Sequence, residues 1–137
     1  EYKSWGGGLV TVSAANDRDS VIEIPATVKY QGVSYRVDEL EDSAFAAHPF
    51  LKRVVMPDNP KLHVMKHIFA GSPNLEGIYF RSKTPPRLGN AIWKVTMDDI
   101  FETPSFGKIV LYVPKGSKDA YCRSPWGRFT YIVEFEK

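Results

Sequence analysis

The chain has 137 residues, of which 43% are hydrophobic and 25% are charged, and its formal net charge at pH 7 is +2. This composition is that of an ordinary globular domain and argues against intrinsic disorder. No apolar run is long enough to form a membrane-spanning helix, and the net charge is too small to indicate nucleic acid as a partner. The length fits one domain.

Short strand-like segments recur along the chain and predict a stack of similar units. Four such rungs are found, at residues 22–24, 54–56, 78–80 and 111–113, and in each the first and third residues are apolar. A shift of 24 residues places Leu40 on Val64 and Leu51 on Leu75. A unit of this length cannot bury its apolar side alone, so the units must stack. We therefore expect a β-rich solenoid, an α/β repeat with about four rungs.

The longer steps between rungs contain insertions, and the two ends differ from the repeats. Residues 26–37 alternate around Gln31-Gly32 and predict a two-stranded hairpin. Pro85-Pro86 predicts a loop, because proline interrupts helices and central strands. At the C-terminus we expect a short helix over 117–122 with Ser117 as its cap. A strand follows it, with Phe129, Tyr131, Val133 and Phe135 on one face. Residues 1–8 are predicted to be a flexible lead-in to a strand at 9–12.

The central motif resembles a known repeat family. Its pattern is Leu40-x-x-x-Ala44-Phe45, then Leu51-x-x-Val54-x-Met56-Pro57, which is similar to the BspA-type leucine-rich repeat of bacterial surface proteins. Residues 22–37 are similar to the hairpin that leads into such repeats, and residues 111–132 resemble their closing segment.

The resemblance implies one leucine-rich-repeat domain over residues 9–137, a short right-handed stack. Within it we expect the hairpin insertion at 26–37, repeats at 38–57 and 62–81, a degenerate repeat at 88–114 and an aromatic C-terminal cap at 115–137. The resemblance also implies export, to the cell surface behind a lipid anchor or to the periplasm or extracellular space. It further implies a binding or adhesive role at that location. It implies no catalytic residues.

The middle residue of each rung is predicted to point away from the core, which defines a candidate interaction face. This face consists of Arg53, Val55, Tyr79, Arg81 and Tyr112. Tyrosine and arginine often anchor interfaces, because they combine contact area with directional hydrogen bonds. The leading interpretation is recognition of a host or matrix protein. The alternatives are a glycan bound by exposed aromatics, including Trp93, and a structural spacer in a longer surface protein.

The remaining features point to no catalytic or metal chemistry. His63 and His67 have the spacing of two zinc ligands on a helix, but no third ligand is evident, and motifs for nucleotides or nucleophilic catalysis are missing. We predict that the chain is not an enzyme and has no cofactor. Cys122, the only cysteine, is expected to be buried, the alternative being a reactive or dimer-forming thiol. An exposed sheet edge also allows a homodimer.

Charge is unevenly distributed along the chain. Residues 1–46 carry 4 basic and 8 acidic side chains, whereas residues 47–92 carry 7 basic and 2 acidic ones. Two interpretations remain open: a solvated basic surface, or a basic region that meets an acidic partner.

Overall fold

The computed structural model describes residues 2–4, 9–12, 20–40, 50–65, 68, 74–89, 94–96 and 108–135. The elements in chain order are β1 (Tyr2–Ser4), β2 (Leu9–Val12), β3 (Val21–Glu23), β4 (Thr27–Tyr30), β5 (Val33–Leu40), β6 (Arg53–Val55), β7 (His63–Val64), β8 (Gly77–Tyr79), β9 (Arg87–Leu88), β10 (Val110–Pro114), α1 (Lys118–Arg123), a 3₁₀ helix (Pro125–Arg128) and β11 (Tyr131–Phe135). Short strands dominate, as the repeated apolar alternation predicts.

Two sheets organise these strands. The main sheet has five parallel strands in the order β3-β6-β8-β10-β11. The second sheet has the order β1-β2-β5-β7-β9, with β4 paired to β5. From β5 to β10 the chain alternates between the second sheet and the main sheet, so each pair of strands is one turn of a coil. The predicted β-rich repeat architecture is confirmed.

The register of the strands follows the sequence repeat. In the main sheet Ile22 lies beside Val54, Val54 beside Ile78, and Ile78 beside Leu111. In the second sheet Leu40 lies beside Val64, 24 residues later, and Val64 lies beside Leu88 after the same interval. The hydrogen-bonded strands begin one residue earlier than the predicted rungs, as in β6 at 53–55 rather than 54–56.

The hydrophobic core is one cluster that takes side chains from both sheets. Inward positions of the main sheet alternate with outward ones, as expected for a strand with one buried face. Its most buried members from the two sheets are Val54, Met56, Ile78, Phe80, Leu111 and Val113, together with Val37, Leu40 and Val64. Each turn of the coil therefore buries its apolar side chains against the next turn, and a single turn could not bury them alone.

A tight turn joins β4 and β5. Gln31 has a φ of 51° and Gly32 a φ of 78°, the two positive values that a type I′ turn requires. Glycine takes this conformation without strain, whereas it is uncommon for glutamine. β5 continues to Leu40, beyond the predicted insertion, and there joins the second sheet. At the other end, β1 pairs antiparallel with β2, so a strand lies within the segment expected to be a flexible lead-in.

The C-terminal corner, residues 117–129, contains α1 and the 3₁₀ helix. α1 falls close to the predicted helix, but the prediction that the Ser117 side chain caps it is wrong. The Ser117 hydroxyl donates instead to the carbonyl of Pro114. The Glu134 carboxylate of β11 accepts hydrogen bonds from the backbone N–H groups of Gly116, at 2.9 Å, and Lys118, at 3.1 Å. A residue from a later strand thus adds negative charge at the helix start, next to Asp119 of the first turn.

Two other C-terminal predictions are wrong. Cys122 is exposed, because the buried side of α1 is taken by Tyr121. Phe129 does not share the outward face of the last strand: it is 3% exposed, against 54% for Tyr131. It lies before β11 and stacks on Trp126 at a centroid distance of 6.3 Å.

Asn59 is a buried polar side chain that links two turns of the coil. Its amide Nδ2 donates to the carbonyl of Val37 at 2.8 Å, and its Oδ1 accepts from the backbone N–H of Lys61 at 2.9 Å. Asn59 is 4% exposed, so its side-chain amide has little access to water. Asn59→Leu should lower the free energy of unfolding by about 2 kcal/mol, because both partners lose their hydrogen bond.

Urea unfolding followed by circular dichroism measures this effect. Lys61→Ala, which removes an exposed side chain and keeps the bonded backbone N–H, is the matched control and should change the stability little. A loss in Asn59→Leu no greater than in the control would contradict the assigned hydrogen bonds.

Candidate interaction face

The outward side of the main sheet carries the predicted face. Val55 lies beside Tyr79, and Tyr79 beside Tyr112, in neighbouring parallel strands. Arg53 precedes Val55 by two residues and Arg81 follows Tyr79 by two, so they point to the same side. The structure thus brings the five predicted residues to one surface, hereafter the sheet face.

A stacked tyrosine pair occupies the centre of the sheet face. The rings of Tyr79 and Tyr112 lie 4.2 Å apart between centroids, with an angle of 7° between their planes. Gly77 leaves the space that this pair needs, because a Cβ built there would lie 3.2 Å from Cε2 of Tyr112. Stacking holds the two rings in one arrangement, and the absence of a side chain at Gly77 leaves room for it.

The surroundings of this pair raise the pKa of the Tyr79 hydroxyl above its ordinary value. Partial burial raises the pKa of Tyr79, and Tyr112 raises it further through charge repulsion and a side-chain hydrogen bond. The positive charge of Arg53 acts in the opposite direction. The centre of the sheet face therefore presents a hydrogen-bonding aromatic pair with a cation beside it.

Arg81 crosses the sheet rather than pointing freely into solvent. Its guanidinium forms an ion pair with Glu23 of β3, although β6 lies between their strands. Both side chains are more than one third exposed, so the pair contributes little to stability. Its effect is to set the direction of Arg81 along one border of the sheet face.

The last strand enlarges the sheet face with residues that the sequence analysis did not assign to it. Val133 of β11 lies beside Tyr112, and the ring of Phe135 meets Tyr79 edge-on at a centroid distance of 5.7 Å. Tyr131 and Val133 are 54% and 45% exposed. The alternation in this segment predicts a strand. However, the interval in sequence between Leu111 and this strand is shorter than the interval between successive rungs. Its place beside β10 was therefore not predicted.

The other candidate residues do not form a second site. Nδ1 of His63 lies 2.7 Å from the carbonyl oxygen of Gly89, and because that oxygen can only accept, Nδ1 carries the proton. His67 and Trp93 lie outside the described residues. Among the residues that are described, no three His, Cys, Asp or Glu side chains form a group suited to a metal ion. In the same part of the chain, no helix has the length and apolar character to cross a membrane.

Comparison with known proteins identifies the fold. A leucine-rich repeat protein from Bacteroides capillosus aligns over 98% of this chain and 92% of its own, with 14% identity and a TM-score of 0.58. A leucine-rich cell surface protein from Faecalibacterium prausnitzii aligns over 98% of this chain and 40% of its own, with 15% identity and a TM-score of 0.55. No model of a protein family and no curated protein matches the sequence. The chain has the leucine-rich repeat fold that its motifs predict.

Proposed function

We propose that this chain is a non-enzymatic binding module that recognises a protein partner through the sheet face. The observation that supports the proposal most directly is the stacked pair Tyr79 and Tyr112 at the centre of an open sheet. Both rings are half-buried, so they are already ordered before a partner arrives. An ordered aromatic anchor loses little side-chain entropy on binding, and such residues usually dominate the energy of an interface.

The geometry of the rings favours a protein over a glycan. A sugar that stacks on an aromatic residue needs a free ring face. Tyr79 and Tyr112 turn one face of each ring toward the other, and Phe135 approaches Tyr79 from the side. Val55 lies beside Tyr79 and Val133 beside Tyr112 in the neighbouring strands, and the charge of Arg53 is close by. This mixture of apolar, aromatic and charged groups suits a protein surface.

The cellular location proposed here is the bacterial surface or the extracellular space. One protein of the same fold, from Faecalibacterium prausnitzii, is described as a cell surface protein, and it is longer than this chain. Export, a lipid anchor and a role within a longer surface protein are parts of this proposal. The domain limits at residues 9 and 137 stay predictions.

A paired screen tests the proposed function. The chain is immobilised and exposed to a panel of host and matrix proteins and, in parallel, to a glycan array. Saturable binding to a protein supports the proposal. Binding to glycans alone would replace it with glycan recognition, and silence on both panels would favour a structural spacer.

Truncation of the tyrosine pair tests the sheet face itself. For a protein found in the screen, Tyr79→Ala and Tyr112→Ala should each weaken binding about 30-fold, the loss expected for a hot-spot residue worth about 2 kcal/mol. Surface plasmon resonance measures the dissociation constants. Val33→Ser removes exposed apolar surface from the hairpin, 50% exposed and remote in the sheet order, and should leave affinity unchanged. Equal affinities for all three variants would rule out the sheet face as the binding surface.

A further inference from the structure

A surface pocket of about 570 Å³ lies where the second sheet meets the C-terminal corner. Pro86 and Leu88 line one side, Ala120 and Pro125 line the other, and Val95, which is 8% exposed, also lines it. Among the described strands the second sheet ends at β9, whereas the main sheet continues to β11. The pocket lies where the second sheet ends and the main sheet continues, away from the outward side of the main sheet. Its volume is in the range of protein binding sites.

The walls of the pocket are held in place by buried hydrogen bonds. Nε1 of Trp126 donates to the carbonyl of Pro86 at 3.1 Å, and the Tyr121 hydroxyl donates to the carbonyl of Ser82 at 2.7 Å. Burial raises the pKa of Tyr121, with a smaller contribution from Asp58, so the hydroxyl keeps the proton that it donates. Because Pro85 and Pro86 also have restricted backbones, the pocket is formed before any ligand arrives.

The polar groups of the lining are cationic donors. Its prolines have no backbone N–H to offer. The Ser124 hydroxyl is already engaged, since it donates to the carbonyl of Tyr121 at 2.6 Å and accepts from the backbone N–H of Trp126 at 3.2 Å. The guanidinium groups of Arg87 and Arg123 remain, one from β9 and one from the end of α1. A ligand that suits them brings acceptors and negative charge.

The surrounding sequence strengthens this charge preference. Residues 82–97, which supply the loop and β9, contain three basic and no acidic residues. Within the described part of the chain, neither Arg87 nor Arg123 forms an ion pair with a carboxylate. The lining therefore combines apolar walls with two guanidinium groups, which are complementary to a carboxylate next to an apolar group.

We propose that this pocket binds an acidic, apolar peptide segment of a protein partner. A leucine or proline side chain enters between the loop and α1, and neighbouring Asp or Glu carboxylates meet Arg87 and Arg123. A segment of a chain fits better than a free small molecule, because Arg87, Ala120, Arg123 and Pro125 are exposed and leave the pocket wide open. The pocket is separate from the sheet face, so the two proposals stand or fall independently.

Nuclear magnetic resonance titration of the whole chain tests the proposal with defined probes. The probe is the capped peptide Glu-Leu-Asp-Pro-Leu-Glu, and the matched neutral probe is Gln-Leu-Asn-Pro-Leu-Gln. At low ionic strength the acidic probe should produce saturable shifts at the amides of Leu88, Ala120 and Arg123. The neutral probe should bind at least about fivefold more weakly, the equivalent of one modest charge interaction. Added salt should reduce the binding of the acidic probe.

Substitutions locate the binding to the pocket. Arg87→Gln and Arg123→Gln should each weaken the acidic probe about fivefold. Arg53→Gln removes the same charge from the sheet face and should have no effect. Ala120→Trp fills the pocket from an exposed helix position and should abolish the shifts while the far-ultraviolet circular dichroism stays unchanged. Absence of saturable binding, equal binding of both probes, or equal weakening by Arg53→Gln would overturn the proposal.

Discussion

Replacement of Trp126 by alanine is expected to lower the free energy of unfolding by about 4 kcal/mol, since truncation of a buried aromatic residue costs about 3–5 kcal/mol. Trp126 has no exposed surface, and its ring meets Phe80 at a centroid distance of 5.0 Å. The loss includes the hydrogen bond from its indole N–H to the carbonyl of Pro86. Urea unfolding monitored by far-ultraviolet circular dichroism measures the change.

Trp126→Phe separates packing from hydrogen bonding. The smaller ring keeps most apolar contacts but leaves the buried carbonyl of Pro86 without its donor, so we expect a loss of about 2 kcal/mol. Both variants change the same side chain, so the difference between their losses measures the contribution of the remaining ring contacts. A loss below about 1 kcal/mol in Trp126→Ala would show that the C-terminal corner does not depend on this residue.

Gly127→Ala is the second large effect, and it acts through the backbone. A Cβ at position 127 would lie 2.2 Å from the carbonyl oxygen of Cys122 and 2.8 Å from its carbonyl carbon. A flexible side chain could move aside, but here α1 and the 3₁₀ helix would have to separate. We expect a loss of about 3 kcal/mol, at the upper end of the usual range for overpacking. Thermal and urea unfolding measure it.

Gly32→Ala is the matched control for a glycine substitution. Gly32 has a positive φ of 78° and nothing within 4 Å of a built Cβ, so only the backbone conformation is penalised. The expected loss is about 1 kcal/mol, the ordinary cost of a left-handed conformation outside glycine. If Gly127→Ala proved no more destabilising than Gly32→Ala, the close approach of α1 to the 3₁₀ helix would be refuted.

The C-terminal corner also connects stability to the two proposed binding surfaces. Its Trp126 and Tyr121 side chains hold the loop that lines the pocket, at the carbonyls of Pro86 and Ser82. The chain then enters β11, whose Phe135 contacts Tyr79 on the sheet face. Variants of the corner should therefore be compared by stability before they are compared by binding.

The sequence predicts the repeat architecture well because the repeat is a local pattern. Apolar residues at alternate positions indicate strands with one buried face, and the 24-residue interval from Leu40 to Val64 predicts which strands become neighbours. The outward direction of Val55, Tyr79 and Tyr112 follows from the same alternation. These inferences need no knowledge of distant contacts.

Elements that are positioned by residues far away in the chain were predicted less well. At the start of α1 the backbone N–H of Lys118 donates to the carboxylate of Glu134, and the Ser117 side chain accepts no such bond. Cys122 is exposed because Tyr121 takes the buried side. The ion pair between Arg81 and Glu23 joins residues that are 58 positions apart in the sequence. Such partners are chosen by packing, and local propensity carries no signal for them.

Local alternation and repeat spacing, read from the sequence alone, determined that this chain forms stacked strands with an outward column of valine and tyrosine. Only the tertiary structure decided that β11 continues the main sheet, that the two tyrosine rings stack, with Tyr112 over Gly77, and that a pocket opens beside β9. The physical reason is that strand periodicity is a property of a few consecutive residues, whereas a stacked pair or a pocket depends on how separate turns of the coil meet.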